Sequence, residues 1–162
     1  MDDLRNAFIK AGIKEPGKQE NKMVSHPVAS KPSPQTASLP LDYTTKADQV
    51  IIGLRQTMGR DYNNFTTSKI RNILGMVSEI YNDVLNEMNE TLSADIQSRI
   101  EYLKVRLVYE CGREPGVVKP FVQEAGLLAI ISGIGTSRKK FIEFARYMEA
   151  LVAYHRFHGG RD

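Results

Sequence analysis

The sequence predicts an all-α protein: a compact bundle of about five helices with a flexible N-terminal extension. Three observations carry this. From Tyr43 onward, apolar residues recur at spacings of three and four, which is one face of an α-helix. No stretch alternates apolar and polar residues between turn signals, so no strand is expected. Residues 15–40, "EPGKQENKMVSHPVASKPSPQTASLP", hold five of the seven prolines and no periodicity.

The elements follow in order. In residues 1–14, Leu4, Phe8, Ile9 and Ile13 fall at helical spacing, a short amphipathic segment. Residues 15–40 have too little apolar surface to offset the entropy of ordering, so they read as a linker. Residues 1–42 are therefore expected to be a flexible extension, with segment 1–14 as a docking motif or a frayed terminus. Residues 43–162 form the helical domain. "TTKADQVIIGLRQTMG" (44–59) places Ala47, Val50, Ile51, Leu54 and Met58 on one face, and Gly59 suits a helix stop. "TTSKIRNILGMVSEIYNDVLNEM" (66–88) opens with capping hydroxyls and repeats Ile70, Ile73, Val77, Ile80, Val84 and Met88. "SADIQSRIEYLKVRLVYECG" (93–112) repeats Ile96, Ile100, Leu103 and Leu107 and ends in Gly. "VVKPFVQEAGLLAIISGIG" (117–135) is more apolar, and Pro120 predicts a kink or a late start. "SRKKFIEFARYMEALVAYHRF" (137–157) closes the chain, with Phe141, Phe144, Met148, Leu151 and His155 on the core spacing.

Composition narrows the function. Hydrophobic residues at 41% can fill a core, and 25% charged residues suit a soluble protein. Apolar runs such as "GLLAII" (126–131) are too short to span a bilayer, so no membrane partner is expected. "MDDLRNAFIK" carries acidic residues where a signal peptide would be basic. The single cysteine, Cys111, excludes an internal disulfide and a Cys-rich zinc site. These features predict a cytoplasmic protein. A net charge of +3 and a pI of about 9.0 permit a nucleic-acid partner, so the arrangement of charge has to decide.

His155 and His158 are three apart on the last helix and raise the question of metal. Zinc needs three or four ligands, and the third histidine, His26, lies in the linker. Metal is therefore not expected. Hydrolysis fares no better. Arg146 and His155 have eight residues between them, and Arg156 and His158 have one. Neither is the close spacing that some helical ribonucleases use on one helix. Cys111 suits a packing role, and no phosphate-cradling GxxxxGK[ST] loop is present. No catalytic residue and no cofactor are assigned.

Basic residues offer more. Arg99, Tyr102, Arg106, Tyr109 and Arg113 lie along one stripe of the third helix, with Lys104 off it. Guanidiniums can grip phosphates and phenols can stack on bases. The same stripe can instead sit half-buried at a helix contact, with arginines lying along it. Lys69 and Arg71 stand in the first turns of the second helix, where positive charge opposes the dipole but suits a bound anion. "SRKK" (137–140), with Lys139 and Lys140, repeats that arrangement. On the last helix Arg146 and Arg156 fall mainly opposite the core face, and Arg146 could pair with Glu149.

"TTSKIRNIL", "YLKVRLVYECGRE" and "FARYMEALVAYHRFHGG" occur in this order and together resemble the small subunit of the type III-A CRISPR effector, the Csm complex. The resemblance covers roughly residues 66–162, and the terminal run is its most specific part. It implies a non-catalytic α-helical subunit, present in more than one copy beside guide RNA and target RNA. It also implies contacts with further copies, with the backbone subunits that cut target RNA, and with the large subunit that makes cyclic oligoadenylates and degrades DNA. Arg71, Lys104, Arg113 and Arg146 match the family motifs and inherit a general RNA-facing role. Arg113 and Arg146 could equally hold the bundle through Glu114 and Glu149. The family often carries other aromatics at His155 and His158, and it says nothing about residues 1–40. The expected function is a sequence-independent RNA-binding scaffold, with a helical ribonuclease or a protein-only adaptor as alternatives.

Overall fold

The structure is a computed structural model that describes Leu39 and residues 42–162. The predicted extension and its amphipathic segment at 1–14 lie outside the described residues, apart from Leu39 and Asp42. The elements are α1 (Tyr43–Met58), a 3-10 turn (Gly59–Asn64), α2 (Thr67–Asn86), α3 (Ala94–Arg113), α4 (Val118–Glu124), α5 (Leu127–Ile134) and α6 (Arg138–Phe157). Among the described residues there is no strand, only one isolated bridge between Thr91 and Ser137.

The helical periods predict the buried faces. Ala47, Val50, Ile51 and Leu54 of α1 are buried, as are Ile70, Ile73, Val77, Ile80 and Val84 of α2. Ile96, Ile100, Leu103 and Leu107 of α3 join them, with Phe141, Phe144, Met148 and Leu151 of α6. The last helix is the hub, packing most extensively on α1 and α2 and also on α5. It is more enclosed than one stripe predicts. Tyr147 is fully buried off that stripe, and its hydroxyl donates to Ala125 O at 3.1 Å.

Four helix boundaries differ from expectation. The predicted fourth helix is two, so six helices replace five. Pro120 sits in the first turn of α4, where its missing N–H costs no hydrogen bond. The break falls instead at Gly126, whose φ of +64° is open to glycine and strained for other residues. Helix α2 stops at Asn86, so Met88 lies beyond it, fully exposed, and not in the core. Arg138 accounts for this stop: its guanidinium donates to Val84 O at 3.0 Å and to Leu85 O at 3.5 Å, satisfying the helix's last carbonyls. Helix α3 runs through Gly112 and ends at Arg113, because Pro115 disfavours a helical conformation at Glu114. Lastly, the hydroxyls of "TTSK" do not cap α2. Thr66 occupies the cap position without a side-chain hydrogen bond, and the Thr67 side chain is buried and faces His155.

Candidate nucleic-acid interface

The last helix and its tail form one buried polar device. His155 is fully buried. Its Nε2 lies 2.8 Å from Phe65 O, and its Nδ1 lies 3.3 Å from Thr67 Oγ1. A carbonyl only accepts, so Nε2 carries the proton and Nδ1 accepts from the threonine hydroxyl. Burial pushes the imidazole pKa down, the Phe65 carbonyl opposes this, and the Arg156 charge adds to the lowering. Phe65 and Tyr62 pack against the ring at centroid distances of 4.9 and 5.6 Å.

The tail closes over it. Gly159, at φ +81°, turns the chain, its N–H bonds Arg156 O at 3.1 Å, and the Gly160 N–H bonds His155 O at 2.8 Å. Arg161 O then accepts from Thr67 N at 2.6 Å, so the C-terminal tail satisfies a free donor at the start of α2. His158 Nε2 donates to Asp48 Oδ1 of α1 at 2.6 Å. Both histidines are thus tied to protein partners. Among the described residues, no group of three or more His, Cys, Asp or Glu is arranged to hold a metal ion. Burial raises the Cys111 thiol, with Lys119 opposing it, which keeps the sulfur from acting as a thiolate.

The ten basic candidates fall into groups. Lys69, Arg106 and Arg113 line one cleft of about 360 Å³ between α2 and α3, together with Asn72, Glu110 and Glu114. Lys139 and Arg146 line a second, of about 580 Å³, beside Arg138 and Ser137. Seven of the ten are occupied. Lys69 pairs with Glu114. Arg99 bridges from α3 to Asp83 of α2. Lys104 pairs with Glu101. Arg113 reaches Glu110 at 2.6 Å and Glu114 at 3.6 Å. Lys139 lies 3.9 Å from Glu143, and Lys140 Nζ donates to Gly133 O at 3.0 Å. Arg156 pairs with Asp162 at 2.9 Å. Arg71, Arg106 and Arg146 are exposed and make no ion pair or side-chain hydrogen bond among the described residues. The anticipated Arg146–Glu149 pair is therefore not formed, whereas the Arg113–Glu114 contact is.

The more exposed pairs, those of Arg99, Lys139 and Arg156, contribute about 0–1 kcal/mol each, whereas Lys69 and Glu114 are both part-buried. The outer face of α3 is open as well. Tyr102 and Tyr109 are about 60% exposed, so they are not at a helix contact, and Val105 and Val108 are similarly open beside them. Arg106 lies between the tyrosines on that face.

Arg138, read in the sequence only as part of "SRKK", has the structural role described above. Arg55 and Arg60 were not singled out: Arg55 donates to His158 O at 3.2 Å, and Arg60 lies beside it in a third cleft with Tyr62 and Asn63. Their isolated positions in the sequence carried no signal, because the cleft is built from both ends of the chain's helical part. No helix among the described residues is long and apolar enough to cross a membrane.

The chain matches known proteins over most of this bundle. Residues 46–161 match the family described as Csm2 Type III-A. A relative from Mycobacterium tuberculosis, "CRISPR system Cms protein Csm2", is 37% identical over 121 residues, covering 75% of this chain and 94% of the relative. Proteins of the same name from Streptococcus thermophilus, 36% identical over 121 residues with the same coverage, and from Enterococcus italicus, 38% identical over 99 residues covering 60% of this chain and 70% of the relative, are also similar. With the family pattern spanning nearly all of the described helices, the chain belongs to the Csm2 family of type III-A CRISPR systems.

Proposed function

We propose that this subunit is a non-catalytic scaffold of a type III-A CRISPR ribonucleoprotein, acting in antiviral defence in the cytoplasm. It lines the guide RNA–target RNA duplex through sequence-independent phosphate contacts. It is present in more than one copy beside the backbone and large subunits. A guide can have any sequence, so specificity belongs to base pairing and the protein reads backbone and shape. The observation that carries the reading is Arg106: an unpaired guanidinium between two exposed tyrosines, at the edge of a cleft holding Lys69 and Arg113. Arg71 and Arg146 are the other contacts, and neither forms an ion pair among the described residues. The remaining members of the set, Arg99, Lys104, Lys139, Lys140 and Arg156, contact RNA by exchanging weak partners. A scaffold role is also supported by His155, both of whose ring nitrogens are engaged inside the core.

The test is RNA retention by the assembled complex. Arg71→Glu, Arg106→Glu and Arg146→Glu together replace three unpaired cations and break no ion pair. Retention should fall by at least about tenfold at physiological salt, with subunit assembly intact, and the salt dependence should flatten. Unchanged retention sinks the RNA reading. A protein-only adaptor is the second reading, favoured by the apolar Val105 and Val108 beside the tyrosines. Lost assembly with RNA still held would select it. RNA cleavage by the purified chain that vanishes in His155→Ala would refute the non-catalytic role.

A further inference from the structure

Helix α3 carries two faces rich in apolar residues, and the bundle uses one. Ile96, Ile100, Leu103 and Leu107 are buried. At 3.6 residues per turn, the opposite side carries Ser98, Tyr102, Val105, Tyr109 and Gly112. All five are exposed, and Val108 beside them is open too. A solvated helix face ordinarily carries charged and polar side chains. Tyr and Val also form helices less readily than the Glu, Lys and Ala that suit such a face. The outer face of α3 is therefore built for contact.

Its residues say with what. Arg106 follows Tyr102 by four and precedes Tyr109 by three, so it stands on the same side of the helix as both. Arg99 and Arg113 lie on that flank, three before Tyr102 and four after Tyr109. Arg99 is matched by Asp83, and Arg113 by Glu110 and Glu114. Arg106 forms no ion pair among the described residues, so it is the unmatched cation of the three. On the other flank, Glu101 is paired with Lys104. The face thus offers two ring faces, an apolar floor and one unmatched positive charge. A nucleotide has the complementary parts, a flat base and an anionic phosphate. An apolar partner helix would cover the valines and leave the guanidinium without an anion.

Ring spacing narrows the form of the RNA. Tyr102 and Tyr109 are seven residues apart, a rise of about 10.5 Å along the helix. Bases along a strand repeat about every 3.4 Å, so three steps span about 10 Å. The two rings can therefore bracket two stacked bases, or each take one of two bases three nucleotides apart. Inside a duplex, base faces are covered by the neighbouring pairs, so stacking on exposed phenols needs unpaired bases.

We propose that the outer face of α3 binds a short unpaired stretch of RNA, with bases stacked on Tyr102 and Tyr109 over Val105 and a phosphate on Arg106. This rests on the RNA reading above and extends it: the cleft cations meet backbone, and this face takes bases outside the guide–target duplex. Every base has a π-face, so the site is indifferent to sequence.

The test titrates the full chain with linear hexaadenylate to millimolar concentration, and separately with an RNA duplex. Methyl NMR should show saturable upfield shifts at Val105 and Val108 from base ring currents, and the duplex should not produce them. Replacing both tyrosines together, Tyr102→Leu with Tyr109→Leu, keeps the apolar surface and removes the rings. Binding should weaken at least about tenfold. Tyr102→Phe with Tyr109→Phe keeps the rings and should stay within about threefold of the parent. Both positions are exposed, so neither pair threatens the fold. No saturable shift overturns the proposal, as do equal affinities of the Leu and Phe pairs or equal shifts from the duplex. Absent RNA shifts, together with lost subunit assembly in complexes carrying the Leu pair, would assign the face to a protein partner instead. The triple arginine variant keeps the two readings apart. If it loses RNA retention while the Leu pair binds hexaadenylate like the parent, the stacking inference fails and the RNA reading stands.

Discussion

Gly160→Ala is the most informative single change, because the structure gives its size. An alanine Cβ at this position would lie 2.1 Å from His155 Cε1, 2.2 Å from Nδ1 and 2.6 Å from His155 O. Ordinary contacts to a methyl group are about 3.5–4 Å, so something must move by more than an ångström. The ring cannot yield cheaply, because Phe65 O and Thr67 Oγ1 hold both nitrogens and Phe65 and Tyr62 flank its faces. The tail must lift instead. That breaks the Gly160 N to His155 O bond and the Thr67 N to Arg161 O bond. At about 1 kcal/mol each, plus partial exposure of the ring, the loss is about 2–4 kcal/mol. For a domain of this size that lowers Tm by about 10 °C. The control is Gly159→Ala, whose methyl meets open space, so that only the positive φ of +81° costs, about 1 kcal/mol. Urea and thermal unfolding by circular dichroism measure both. If Gly160→Ala unfolds within about 0.5 kcal/mol of the parent, the tail is not seated on His155 and the reasoning fails.

Acid should destabilise the bundle through the same histidine. Its folded pKa lies below the unfolded value of about 6.5, so the unfolded chain binds more protons below that pH, and stability falls as pH drops from 6.5, by at most about 1.4 kcal/mol per pH unit. His155→Phe should flatten that part of the pH profile, and an unchanged slope would show that another group titrates. Arg138→Ala should cost about 1–2 kcal/mol in urea unfolding, since two carbonyls at the end of α2 lose their charged donor; RNA retention should stay at the parent level. Equal stability would mean that Arg138 does not hold the helix end.

The helices and their buried faces were legible because burial follows period. Ile70, Ile73, Val77, Ile80 and Val84 had to share one side of any helix they formed, and they do. Helix ends were less legible, because tertiary partners place them. Nothing near Asn86 announces a stop; the donor that provides it, Arg138, is far along the chain and arrives only when α6 docks. At the interface, the basic stripe of α3 was visible as spacing, but its division into free and paired cations was not. Lys69 and Glu114 are 45 residues apart, and only packing of α2 on α3 joins them. Arg71 on α2, Arg106 on α3 and Arg146 on α6 form no ion pair among the described residues.

Local order by itself determined an all-helical bundle and its family, since periodicity and the motif "FARYMEALVAYHRFHGG" are properties of contiguous residues. Tertiary structure alone decided what that closing motif does. His155 is the core's polar anchor, with its two ring nitrogens engaged by Phe65 O and Thr67 Oγ1. Gly159 turns the tail, and Gly160 lets it lie on the ring. The partners that make this so, Phe65 and Thr67, lie about ninety residues upstream, and hydrogen bonds at such separation carry no periodic trace in the sequence.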